Sequence, residues 1–113
     1  MLAFRAFLVL FLLILTGYTL VTIMNHGINL FPYFFGDMLA MGWAGQFNLD
    51  FMGFLVLSAI WTVWRNGINA KGLVLGTLAF FGGMMFLSIY LLYLGFAEEG
   101  DVAKIMLGEK LPA

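Results

Sequence analysis

The sequence predicts an all-α fold: a three-helix transmembrane bundle with an aromatic interfacial segment between helices 1 and 2 and a short C-terminal tail. Hydrophobic residues make up 64% of the 113-residue chain, and charged residues make up only 10%. The mean hydropathy is +1.05, whereas an ordinary soluble domain is only about 45–50% apolar. Long charge-free stretches separate several of the charges, which is typical of a membrane protein. We therefore expect residues 1–113 to form a single integral membrane domain.

The first transmembrane helix is predicted over residues 4–24, an apolar run interrupted mainly by glycine and threonine. Its beginning resembles a signal peptide, with one arginine ahead of an apolar stretch. No small-x-small cleavage site follows, however, and the apolar run is longer than a signal peptide needs. The pattern therefore predicts an uncleaved signal anchor.

The segment between the first two helices, residues 25–46, combines turn-forming residues with many aromatic side chains. Asn25, Gly27 and Pro32 supply the turn chemistry. Tyrosine and tryptophan favour the headgroup level because part of each side chain is polar and the rest is apolar. The segment is therefore predicted to be interfacial or partly re-entrant.

The second transmembrane helix is predicted over residues 47–64, close to the lower length limit for crossing the hydrocarbon. Asn48 is a suitable N-cap, and a helix starting there places Asp50 in its first turn, where the helix dipole favours a carboxylate. A helix starting near Met41 would instead place Asp50 inside the membrane, where it needs a polar partner. Both interpretations of Asp50 follow from the sequence.

A short polar connection over residues 65–72 leads to the third transmembrane helix, predicted over residues 73–96, and to a tail over 97–113. The short connection predicts two antiparallel, packed helices. Within the tail, Asp101 is expected to cap a short helix that Gly108 ends. Its apolar side is expected to rest on the membrane surface.

Lysine and arginine in the flanking segments predict the orientation. Arg5, Arg65 and Lys71 fall on one side of a three-span protein, and the first loop contains neither residue type. Such residues are enriched on the cytoplasmic side. The prediction is a multi-pass protein of the bacterial inner membrane with a cytoplasmic N-terminus and an external C-terminus, although Lys104 and Lys110 fit this orientation poorly.

Three ionisable residues are candidates for a functional role. His26, the single histidine, is a candidate ligand for a pigment magnesium or a haem iron, although a lone imidazole at an interface is usually a solvated side chain. Asp37 and Asp50 are the carboxylates within or beside the membrane, where an ionisable group is by default functional. These residues are too few for a self-contained metal site.

Two further patterns involve small and hydroxylated residues. Threonines recur every three residues along the first helix and form an intramembrane polar stripe of Thr16, Thr19 and Thr22. Such residues bond to their own helix or pack against another one, and a polar pathway is the alternative. Small residues form a predicted packing ridge on the third helix, which allows close approach of another backbone; it consists of Gly72, Gly76, Ala79 and Gly83.

Several functional classes have no support in the sequence. The net charge of −1 provides no basic surface for nucleic acid. The chain has no cysteine, so thiolate ligands and cysteine nucleophiles are excluded. No catalytic nucleophile with a base, phosphate-binding loop or pair of catalytic carboxylates can be assembled. The sequence therefore predicts a protein that is not an enzyme.

Residues from about 8 to 94 resemble a family of small bacterial membrane proteins that has no assigned activity. The resemblance lies in spaced aromatic and aliphatic positions and one acidic position: Phe31, Phe35, Leu39 and Ala40, then Phe47 and Asp50, then Gly82 and Gly83, then Tyr90 and Tyr93. It implies a bacterial inner-membrane protein with an aspartate near the start of a helix. It implies no activity.

These observations favour a small accessory or structural subunit that packs through its helix faces against a larger membrane complex. The chain is small, nearly all of its surface is helix face, and no site is self-contained. One alternative is a homo-oligomeric transporter or ion-coupled protein that uses Asp50. Another is a pigment- or haem-binding protein that uses His26. The bilayer is a partner in each case, no cofactor is required by the sequence, and a bound lipid or pigment is compatible with it.

Overall fold

The computed structural model describes residues 1–110, in which the chain is helical and has no β-strand. Three helices are long and apolar enough to cross a membrane, so the predicted all-α, multi-pass class is confirmed. The last three residues of the predicted tail lie outside the described residues. The helices are α1 (Leu2–His26), α2 (Phe31–Leu39), α3 (Trp43–Asn66), α4 (Ala70–Ala97) and α5 (Val102–Leu107), followed by a 3-10 turn (Gly108–Lys110).

The helix α3 begins earlier than the sequence predicted. Its N-cap is Gly42, whose extended backbone precedes the first helical residue, Trp43. The prediction that Asn48 caps this helix is therefore wrong. Asn48 lies within α3, and its side-chain amide donates a hydrogen bond of 3.1 Å to the carbonyl of Phe34 in α2. The asparagine thus joins two helices instead of starting one.

The helix α2 packs antiparallel to the first turns of α3. Gly45 of α3 lies directly against the backbone of Asp37 and Met38, where a Cβ atom would collide. Pro32 occupies the first turn of α2, where its missing N–H has no helical partner to lose. The aromatic segment therefore contains a short helix that runs back along α3.

The helix α4 reverses direction at Gly83. This glycine has a φ of 56° and a ψ of −138°, a non-helical conformation that favours glycine. On one side of it, Gly76 lies against Val63 of α3. On the other side, the Tyr90 ring lies 5.9 Å from the Trp61 ring of α3.

A straight helix would separate residues 76 and 90 by about 21 Å along its axis. Both nevertheless contact the last turns of α3, so α4 is a helical hairpin. Its first half, 70–82, runs antiparallel to α3, and its second half, 84–97, runs parallel to it. The tip at Gly83 lies near Phe51 and Leu55 of α3.

This reversal brings the start of α1 and the described part of the tail to the same end of the molecule as the α3–α4 connection. Arg5 of α1 donates a hydrogen bond of 2.7 Å to the carbonyl of Gly95, and its guanidinium lies 4.2 Å from the centre of the Phe96 ring. We call this end the Arg65 end. The prediction that the C-terminus lies across the membrane from the N-terminus assumed a straight third helix, and the orientation of the termini stays a prediction.

The opposite end of the molecule, which we call the His26 end, contains the end of α1, all of α2 and the start of α3. The buried apolar side chains lie mainly toward the Arg65 end. They include Leu8 of α1, Ala79, Tyr90 and Leu94 of α4, and Ile105 of α5. Leu8 is the one buried residue of α1, so most of that helix lies on the surface of the chain.

Candidate functional site

The most extensive polar network in the described part of the chain surrounds Arg65, in the last turn of α3. Arg65 is 7% exposed. Its Nε donates to the carbonyl of Ile105 at 2.5 Å, and its Nη2 donates to the carbonyl of Lys104 at 3.1 Å. Its Nη2 also lies 3.7 Å from a carboxylate oxygen of Glu98. A buried guanidinium requires such acceptors, because desolvating it without them is costly.

Two neighbouring side chains extend this network. Trp61 Nε1 donates a hydrogen bond of 3.0 Å to the carbonyl of Met106. Together with Arg65, it therefore binds three successive carbonyls of α5. The side-chain amide of Asn66 donates to the hydroxyl of Tyr90 at 2.7 Å. The network thus connects the end of α3, the second half of α4 and the tail.

One side of the tail helix packs on protein. The side chain of Ile105 is buried and belongs to the same apolar cluster as Tyr90 and Leu94. The expectation that the apolar side of α5 rests on lipid is therefore wrong for Ile105. The expected helix itself is confirmed, because Asp101 accepts a hydrogen bond from the Lys104 N–H at 3.3 Å and Gly108 ends the helix.

The sequence analysis used Arg65 only to predict the orientation and missed its network. The partners of Arg65 follow it by 25 to 40 positions. They reach it only because α4 folds back. The available signal was the Gly82-Gly83 pair near the middle of the third apolar stretch, because glycine permits a non-helical backbone.

The predicted cofactor ligand His26 lies in the last turn of α1 and is exposed. Its ring makes an edge contact with Tyr33 of α2, with ring centres 5.8 Å apart. No cluster of three or more potential metal ligands occurs within residues 1–110. His26 therefore offers a single imidazole with an aromatic neighbour.

The predicted carboxylates Asp37 and Asp50 are both exposed. Asp37 lies in α2, level with the start of α3, because its carbonyl contacts Gly45. Asp50 lies beyond the first turn of α3, since the helix begins at Trp43. It is therefore not the first-turn residue that a helix starting at Asn48 would have made it.

The threonine stripe bonds to its own helix. The hydroxyl of Thr19 donates to the carbonyl of Leu15 at 2.7 Å, and that of Thr22 donates to the carbonyl of Tyr18 at 2.9 Å. Thr16 is half-buried. The structure does not bring these hydroxyls to Asp50, so they form no continuous polar path with it in a single copy of the chain.

The predicted small-residue ridge lies at the start and tip of the α4 hairpin. Gly72 lies against the carbonyl of Gly67, and Gly76 lies against the side chain of Val63. Ala79 is fully buried. Gly83 forms the tip, where a Cβ atom would lie 3.3 Å from Phe51 Cζ. The ridge therefore packs the first half of α4 against α3 and its connection.

A groove of about 370 Å³ lies beside the hairpin tip, between α3 and the second half of α4. Its walls are almost entirely apolar, and Ser58 is its one hydroxylated lining residue. The Ser58 hydroxyl oxygen has no hydrogen-bond partner within the described residues. This groove fits an acyl chain or an apolar side chain better than a polar substrate.

Comparison with known protein families, characterised proteins and solved structures gives no match. The resemblance to a family of bacterial membrane proteins therefore stays a prediction.

Proposed function

We propose that this chain is a small accessory or structural subunit of a larger complex in the bacterial inner membrane. The proposal rests chiefly on Asp50, an exposed carboxylate in the interior of a membrane-spanning helix. Within residues 1–110, no hydrogen bond or ion pair connects its side chain to another residue. A carboxylate at membrane depth requires a polar or cationic partner, and a second protein would supply one.

The depth of Asp50 follows from helix geometry. Asp50 precedes Arg65 by 15 positions in α3, which corresponds to about 22 Å along the helix axis. If Arg65 marks one boundary of the hydrocarbon, which is about 30 Å thick, Asp50 lies inside the other boundary by about one and a half helical turns. A partner helix is expected to present a hydrogen-bond donor or a cation at that level.

The exposed surface of α1 also supports the proposal of a partner subunit. Its first turns contact the second half of α4 through Arg5, and Leu8 is its buried residue. Each half of α4 is only about 20 Å long, so the tip of the hairpin does not reach the His26 end. The second half of α1 therefore lacks a neighbouring helix of this chain and offers a face to another subunit.

For the membrane orientation, we propose that both termini are cytoplasmic. Two helices, α1 and α3, cross the bilayer, and α4 enters and leaves from the same side. Folding α4 back places all five lysine and arginine residues of the chain at the Arg65 end. This distribution satisfies the positive-inside tendency more fully than three crossings do, because Lys104 and Lys110 cease to be exceptions.

A second candidate function is a homo-oligomeric ion-coupled protein or transporter, in which Asp50 of one copy faces another copy. The exposure of Asp50 is compatible with this function as well. The hydrogen bonds of Thr19 and Thr22 within α1 weigh against a threonine-lined path. A pigment or haem at His26 has weaker support, since one imidazole and Tyr33 make up the visible site.

The experiment that tests the proposal is isolation from native membranes in mild detergent, comparing the natural chain with Asp50→Asn and Asp50→Leu. We expect distinct partner subunits to co-purify with the natural chain. We expect Asp50→Asn to weaken their recovery and Asp50→Leu to weaken it further. Asp37→Asn is the matched control, because this exposed carboxylate lies in α2, and we expect it to leave recovery unchanged.

Recovery of the natural chain alone, or only with copies of itself, would contradict the subunit proposal. Self-association that depends on Asp50 would instead favour the ion-coupled homo-oligomer. Equal partner recovery with Asp50→Leu would remove Asp50 as the supporting observation.

A further inference from the structure

A second groove lies on the surface of α3 at the Arg65 end, and the proposed complex does not explain it. Its volume is about 460 Å³. The walls include Ile60, Val63 and Trp64 of α3, and the connection to α4 contributes Gly67 and Ile68. Lys110, from the 3-10 turn after α5, completes the lining. One cation therefore sits at the edge of an otherwise apolar groove.

The groove runs along the axis of α3, and therefore along the expected membrane normal. Val63 and Ile60 lie one and two turns deeper than Gly67, on the part of α3 that enters the bilayer. Ile68 and Lys110 lie beyond the end of α3, where the headgroups are expected. The Lys110 ammonium is 6.0 Å from the centre of the Trp64 ring, which places its charge near the mouth of the groove.

We propose that this groove binds one anionic phospholipid. An acyl chain lies along Ile60 and Val63, and the headgroup phosphate pairs with the Lys110 ammonium. Trp64 is half exposed and lies between these two parts, where a tryptophan ring suits both apolar and polar surroundings. Basic pockets on the cytoplasmic side of membrane helices bind such headgroups in this way.

The first part of the tail lies away from the groove. Glu98 pairs with Arg65. Gly100 contacts Met1 and lies near Arg5, so this part of the tail lies beside α1. Among the residues that line the groove, Lys110 is the charged one. A phospholipid with a net negative headgroup is attracted there, whereas the ammonium of a zwitterionic headgroup is repelled.

A phospholipid is favoured over free phosphate because a single ammonium in an open, apolar groove offers a small anion too few donors. A lipid also covers the exposed apolar wall. Removing one lysine near an anionic headgroup is expected to weaken binding about fivefold.

The test uses the purified full chain in detergent. Thermal unfolding and native mass spectrometry are recorded with added phosphatidylglycerol or phosphatidylcholine. We expect phosphatidylglycerol to be retained and to raise the unfolding temperature more than phosphatidylcholine does. Lys110→Gln should abolish this preference. The matched control Lys71→Gln removes an exposed lysine at the same end but outside the groove lining, and it should keep the preference.

Two further measurements separate the parts of the site. Ile60→Trp fills the apolar wall and should reduce retention of both lipids. Glycerol phosphate, the soluble headgroup, should neither stabilise the chain nor displace the lipid. Equal binding of the two lipids by the natural chain, an unchanged preference in Lys110→Gln, or an equal loss in Lys71→Gln would each overturn the proposal. These outcomes do not depend on whether partner subunits co-purify.

Discussion

The Arg65 end and the His26 end are built from helices of similar apolar character but are held together differently. At the Arg65 end, Arg65, Trp61 and Asn66 make hydrogen bonds that join three segments distant in sequence. At the His26 end, the Asn48 amide makes one such bond to α2, and no residue of α2 is buried.

This difference follows from the way helices associate in lipid. In lipid there is no hydrophobic drive that brings apolar helices together, so close packing and polar contacts decide which segments associate. The Arg65 end supplies both. The His26 end exposes Asp50 and the second half of α1, so it is where we propose that a partner binds.

The largest expected effect is from Arg65→Met, which removes the side chain that binds the tail. We expect destabilisation on the order of 3 kcal/mol, because the carbonyls of Lys104 and Ile105 lose buried donors and Glu98 loses its cation. Limited proteolysis of the purified chain should then cut the tail faster, and detergent unfolding should begin at lower temperature.

Lys104→Met is the control for Arg65→Met. It removes an exposed cation from α5 and keeps the backbone carbonyl that Arg65 binds. We expect its tail to remain protected. A tail equally protected in Arg65→Met and in the natural chain would show that the two ends do not differ as described.

A smaller effect is expected from Gly76→Leu in the α4 hairpin. A side chain there meets Val63 and pushes the two helices apart, which typically costs about 1–3 kcal/mol. Gly53→Leu is the matched control, since a Cβ atom at Gly53 meets nothing within 4 Å. Equal unfolding temperatures for the two variants would contradict the packing of α4 on α3.

The smallest effect is expected from His26→Ala at the loosely held end. His26 is exposed and contacts Tyr33 by its ring edge, so the stability change should stay within about 0.5 kcal/mol. The absorbance spectrum of the protein isolated from native membranes should be unchanged. Loss of a visible absorbance band in this variant would instead identify His26 as a cofactor ligand.

Hydropathy was sufficient to find the three long helices, because a long apolar run has few other stable forms in a membrane. The short tail helix was also predictable, since Asp101 and Gly108 are local capping signals. These features depend on residues close together in the sequence.

The reversal at Gly83 was not predictable in the same way. Glycine is common in membrane helices, and what stabilises the reversal is distant: Tyr90 meets Asn66, and Arg65 meets the tail. Asn48 was misassigned for a similar reason, because its amide serves α2 and not the start of α3. The orientation and the Arg65 network both depended on this reversal.

The most direct test is the membrane sidedness of the two ends of α4. The chain contains no cysteine, so single exposed positions can be labelled one at a time with an impermeant thiol reagent in Asn29→Cys, Ala70→Cys and Ala103→Cys. We expect intact cells to label position 29 alone, and opened membranes to label positions 70 and 103 as well. Labelling of positions 70 and 103 from opposite sides would contradict the α4 hairpin within the membrane.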